Sequence, residues 1–168
     1  PSEFIAYKNI DDEALELAYY KSTHPGTRPA VILLHGGGWR YGNHLETGDW
    51  PRILTEAGFH VFSVEYRLAS DSYHTWRDAP RDVHDAYTYI QSNSQRLSID
   101  PARISLVGQS AGGHLALLEA YLHNDAMSVV YLYATTAGGA RGACRPLPRP
   151  RHAGMRGILL QGAHRPAG

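Results

Sequence analysis

Two glycine-rich motifs carry the chemistry. His35-Gly36-Gly37-Gly38-Trp39 directly follows the apolar run Val31-Ile32-Leu33-Leu34, and Gly108-Gln109-Ser110-Ala111-Gly112 directly follows Ile104-Ser105-Leu106-Val107. A serine hydroxyl is a weak nucleophile and must be held exposed, near a base. Gly-x-Ser-x-Gly achieves the exposure by placing the serine on a sharp strand-to-helix turn, with glycines where backbones cross. The oxyanion formed by attack on a carbonyl needs backbone N–H donors aimed at one point. Three successive glycines let amides face inward. Ser110 is therefore the candidate nucleophile, and the N–H groups of Gly37, Gly38 and Ala111 are the candidate oxyanion hole. The chemistry would be acyl transfer.

Such motifs work only at the end of a sheet, and the flanking pattern supplies one. Residues 14–20, 30–34, 61–65, 104–107 and 129–133 read as strands, the run at 30–34 being apolar enough to be buried on both faces. Trp50, Ile53, Leu54 and Ala57 share a helical face, and Gly58 stops that helix. Val83, Ala86, Tyr87 and Ile90 form a second face, with Asp78 as its N-cap before Pro80. Asp100-Pro101 reads as a turn. Ala111, Leu115, Leu118 and Leu122 form a third helical face after the serine. This alternation predicts an α/β fold: a mostly parallel sheet with helices on both faces.

A chain of 168 residues is one domain by length. No apolar run approaches a membrane span, and residues 1–9 lack a signal-peptide layout, so a cytoplasmic location is the default expectation. The one cysteine, Cys144, offers no disulfide and no metal cluster. The net charge of zero hides a split: all 16 acids precede residue 126, whereas residues 126–168 hold six arginines and no acid.

Four segments in order carry a family resemblance: His35-Gly36-Gly37-Gly38-Trp39; Val64-Glu65-Tyr66-Arg67-Leu68; Ile99-Asp100-Pro101-Ala102-Arg103-Ile104; and Gly108-Gln109-Ser110-Ala111-Gly112-Gly113-His114. The chain resembles the α/β-hydrolases of the hormone-sensitive-lipase-like, carboxylesterase group. The resemblance covers about residues 14–136. It implies Ser110 as nucleophile, Gly37, Gly38 and Ala111 as the oxyanion hole, and neither a metal nor an organic cofactor. It implies a serine carboxylic-ester hydrolase acting through an acyl-enzyme on small-acyl esters. Alternatives are a non-catalytic pseudoenzyme or binding protein, and a peptidase or formamidase of the same fold.

The family's order is serine, then acid, then histidine. Here no Asp or Glu follows Asp125, so no triad acid is assigned, and the only later histidines are His152 and His164, the candidate bases. The expectation is a hydrolase core over residues 1–136, with the last strands and helices of the fold missing and activity impaired. Residues 137–168 would be a Gly/Ala/Arg/Pro-rich tail, flexible or aberrant, such as a GC-rich gene read out of frame. Its 157–162 island could be a strand. A small-molecule ester is the expected partner, with no nucleic acid, no membrane and self-association through the exposed strand at 129–133.

Other polar residues read as structural. The family resemblance implies that His35 shapes the glycine loop; His114, on the helix after the serine, reads as a packing or hydrogen-bonding residue, and His84, off the apolar face, as solvated. Glu65-Tyr66-Arg67 is a corner with a local ion pair. Asp82 and Asp85 lie on a polar helix face, which argues against glycosidase chemistry.

Overall fold

The computed structural model describes residues 1–11 and 13–123, and the backbone of 128–132. In chain order the elements are β1 (Glu3–Ile10), β2 (Glu13–Tyr20), β3 (Arg28–Leu34), α1 (Trp50–Glu56), β4 (His60–Val64), α2 (Asp78–Ser92), α3 (Ser94–Leu97), β5 (Ile99–Gln109), α4 (Ala111–His123) and β6 (Ser128–Leu132). The sheet order is β1-β2-β4-β3-β5-β6. β1, β2 and β4 pair antiparallel; β4, β3, β5 and β6 run parallel. The mostly parallel sheet expected from the alternation is thus present. β1 is an addition, because its half-exposed residues carry no clear apolar period.

β3 shows why the sheet is covered on both faces. Its side chains alternate by the strand period of two. Ala30, Ile32 and Leu34 enter a large core with Phe62, Val83, Ile90 and Leu115, so α2 and α4 cover that face. Val31 and Leu33 enter a smaller core with Leu54 and Val61, so α1 covers the other. The run 30–34 is buried throughout.

Several details correct the sequence reading. α1 buries Pro51, Leu54 and Thr55, while Ile53 and Ala57 are exposed. Pro51 lies in the first helical turn, and the buried face falls one position later than the apolar spacing predicted. Asp78 is not a cap but the first residue of α2; its carboxylate accepts a bond from the Tyr73 hydroxyl at 2.7 Å. α4 buries Leu115, Ala116 and Glu119, whereas Leu118 is half-buried and Leu122 is 67% exposed. Asp100-Pro101 does not separate two elements. Arg28 pairs with Ile99 and Ala30 with Ile104, so β5 carries an excursion at 100–103, closed by Ala102 N–H and Arg103 on the Asp100 carboxylate.

Asp82 is the largest departure. It is fully buried, not on a polar face. Arg67 donates to it from Nε and Nη2, both at 2.8 Å, and from its backbone N–H at 3.1 Å; Lys8 Nζ adds a bond at 2.7 Å. The ion pair of the Glu65-Tyr66-Arg67 corner is therefore with α2, not within the corner. Lys8 also meets Asp85, which ties β1 to α2. Residues 137–168, and with them Cys144, His152 and His164, as well as Asp125, lie outside the described residues.

Candidate active site

β3 and β5 are adjacent parallel strands. β3 leads toward α1 on one face, β5 into α4 on the other. The chain parts in opposite directions at this point, and a crevice opens beyond the strand ends where open α/β sheets bind ligands. Both motifs meet there.

Ser110 sits between β5 and α4 with φ +50°, and it is exposed. Left-handed backbone costs a residue with a Cβ roughly 1–2 kcal/mol, so the surroundings must enforce it. They do so by close backbone contact. A Cβ on Gly108 would lie 2.2 Å from Gly112 O, and one on Gly112 would lie 2.2 Å from Leu34 O and 2.4 Å from His35 O. The two glycines flanking the serine thus let β5 turn sharply and let α4 press on the end of β3. Ser110 O accepts the His114 N–H at 3.1 Å, the first hydrogen bond of α4.

The glycine loop wraps the same edge. Gly37 has φ +117°, and its carbonyl accepts the N–H groups of Arg40 and Tyr41 at 3.1 and 3.0 Å. A Cβ on Gly36 would lie 3.1 Å from Gln109 O and 3.6 Å from Ser110 Cβ, so the two motifs are in van der Waals reach. Gly38 has φ +60° and open space around its Cα. Ala111 is buried at the start of α4. Among the described residues, no loop or turn hydrogen bond consumes the N–H of Gly37, Gly38 or Ala111.

His35 anchors the loop. Its ring is buried and stacked on Tyr66 with centroids 4.3 Å apart. Nδ1 faces Gly36 O at 2.7 Å and therefore carries the donated proton. Burial holds its pKa below the usual histidine value, so the ring is neutral. Burial pushes the Tyr66 phenol up, and its hydroxyl donates to His35 O at 2.7 Å. At the far end of the loop, Trp39 adopts φ +62°, accepts the Ala69 N–H at 2.7 Å, and packs edge-on against His114 at 5.4 Å. His35 is thus a structural loop residue, whereas His114 is exposed and meets the loop's Trp39.

The result is an open cavity of about 260 Å³ lined by His35, Gly36, Gly37, Tyr41, Gly42, Glu46, Gln109 and Ser110. Ser110 and Gly37 share it. Tyr41, Gly42 and Glu46 were not singled out in the sequence, although Gly42 follows the glycine run closely. A Cβ there would lie 2.8 Å from His35 Nδ1, which marks it as part of the loop's packing. Among the described residues no side chain hydrogen-bonds the Ser110 hydroxyl.

A serine on a strained strand-to-helix turn, at the switch point of a mostly parallel sheet, defines an α/β-hydrolase. The family model BD-FAE matches residues 17–137, and the chain belongs to that family. Carboxylic ester hydrolase LipN of Mycobacterium tuberculosis (strain H37Rv) is 34% identical over 113 residues, 64% of this chain and 28% of that protein. Carboxylesterase NlhH of M. tuberculosis is 32% identical over 123 residues, 72% of this chain and 37% of that protein. Among solved structures, Thermogutta terrifontis esterase 2 phosphorylated by paraoxon superposes with a TM-score of 0.65 at 28% identity, over 69% of this chain and 46% of that one. The chain spans about a third of the length of these curated relatives. No described helix is long and apolar enough to cross a membrane.

Proposed function

We propose that this chain carries the nucleophile and oxyanion half of a serine carboxylesterase acting on small-acyl esters. Ser110 Oγ attacks the ester carbonyl, the carbonyl π bond opens onto oxygen, and the N–H groups of Gly37, Gly38 and Ala111 receive the negative charge. Collapse expels the alkoxide, which takes up the proton that Ser110 released and leaves as the alcohol, and water then cleaves the acyl-serine to the acid and free Ser110. The observation that carries this reading is the exposed, left-handed Ser110 sharing one cavity with the glycine loop. The ester-hydrolase names of LipN and NlhH and the paraoxon adduct of the Thermogutta esterase support it.

Deprotonation of Ser110 needs a base, and the base needs an orienting acid. His35 is spent on Gly36 O, and for the remaining candidates, His152 and His164, no Asp or Glu follows Asp125 to stand where the family's order places the acid. The 168-residue chain alone should therefore turn over slowly. Hydrolysis of p-nitrophenyl acetate tests this. We expect a rate at least about 10³-fold below that of an esterase with a full triad, lost in Ser110→Ala. A rate unchanged by Ser110→Ala would overturn the assignment.

A further inference from the structure

The most unusual polar group outside the crevice is Glu119. It lies on α4 with its side chain 1% exposed, facing α2. A buried carboxylate is costly unless charge or hydrogen bonds meet it. Two imidazoles do meet it. His84 Nδ1 on α2 lies 3.0 Å from Oε1, and His123 Nδ1, one turn further along α4, lies 3.1 Å from Oε2. This corrects the solvated position expected for His84, which is half-buried and stacked on the His123 ring at 3.8 Å. Oε2 nevertheless lacks a hydrogen bond of acceptable geometry: it is a buried oxygen, near a ring nitrogen, without a directed donor. Such a group in a folded protein calls for a specific explanation, an ion included.

We propose that His84, Glu119 and His123 bind a divalent transition metal ion, zinc in character, that ties α2 to α4. One ligand atom from each residue falls within 4.8 Å of the other two. A tetrahedral zinc with bonds of about 2.0–2.2 Å holds neighbouring ligand atoms roughly 3.3 Å apart. The 3.0 and 3.1 Å N···O separations run to the two different carboxylate oxygens, and since an imidazole binds a metal in its ring plane, the two rings must turn out of their 3.8 Å stack to converge on the ion. The donor set of two imidazoles and one carboxylate suits zinc, and the ion's charge compensates the buried carboxylate. Glu119 and His123 are spaced i, i+4, so they project from one helix face, and His84 closes the site from the neighbouring helix. The site lies nine residues along α4 from Ser110, roughly 13 Å down the helix, so its role is to clamp the two helices and not to act on the substrate.

The test is a titration of the chelator-treated 168-residue protein with Zn²⁺ by calorimetry and with Co²⁺ by visible absorption. We expect one ion per chain, a raised melting temperature with Zn²⁺, and a four-coordinate Co²⁺ spectrum. Glu119→Gln and His123→Ala should each weaken binding about tenfold or more, while His74→Ala, at an exposed histidine elsewhere, leaves it unchanged. His123 is exposed enough for its variant to fold even if Glu119→Gln does not. Absence of binding, or binding indifferent to His123→Ala, would overturn the proposal and leave a His-Glu-His side-chain cluster without an ion.

Discussion

At the Ser110 edge, backbone packs on backbone: a single added carbon at Gly112 would lie 2.2 Å from the end of β3. On the flank behind it, where β1 and the Arg67 corner meet α2, side chains do the holding, with Lys8 and Arg67 converging on the buried Asp82. Both regions are tight, but they fail differently. The first has no room for an atom and no dependence on charge. The second depends on charge balance, because removing Asp82 leaves the partly buried Lys8 to Asp85 and the partly buried Arg67 to the more distant Asp78 at 3.5 Å.

The contrast can be broken by substitution. Gly112→Ala carries the largest expected effect. The new carbon meets backbone that cannot rotate away, so the protein should fail to fold or lose more than about 4 kcal/mol, read by urea denaturation. Asp82→Ala should cost about 3–5 kcal/mol in the same assay, and Asp82→Asn, which keeps one acceptor but not the charge, should recover little of it. An Asp82→Asn variant as stable as the wild type would mean that charge is not what holds this flank. Gly38→Ala sharpens the comparison within the loop itself. Space is open there, so the cost is only the left-handed backbone at φ +60°, about 1–2 kcal/mol. Tyr66→Phe removes the bond to His35 O and should cost about 1 kcal/mol.

Acid should act on the core histidines. Ser22 N–H donates to His60 Nδ1, so that nitrogen is the unprotonated one, and burial lowers the His60 pKa as it does that of His35. Below the ordinary histidine value of about 6.5 the unfolded chain takes up protons that the folded chain refuses. The stability from these two groups is therefore full above that pH and declines as pH falls below it. Urea midpoints at neutral and mildly acidic pH should show the decline, and His60→Gln should flatten it.

The crevice was largely legible in the sequence because its determinants are local. Glycines at 36–38, 108 and 112 mark where backbones approach closely, and the apolar runs before them mark the strands that bring them together. The flank was not legible, because its determinants are distant in sequence. Nothing near Asp82 announces burial; its partners Lys8 and Arg67 arrive from β1 and the corner after β4, and only the assembled sheet makes a carboxylate acceptable inside. His84 was misread for the same reason: its partner Glu119 lies on another helix. The excursion at 100–103 has a turn signature, yet β5 resumes pairing with β3 at Ile104, and only the register shows that one strand contains it. Among the described residues β6 is an edge strand, and we propose self-association through it, which light scattering of the purified chain tests.

The central claim is that Ser110 stands exposed above a formed oxyanion loop. Incubating the chain with a fluorophosphonate probe and locating the adduct by mass spectrometry tests it most directly. The account predicts slow, single-site labelling at Ser110, abolished in Ser110→Ala and reduced when Gly38 is replaced by Val. An adduct on another residue, or wild-type protein that stays unlabelled after long incubation while remaining folded, would contradict it.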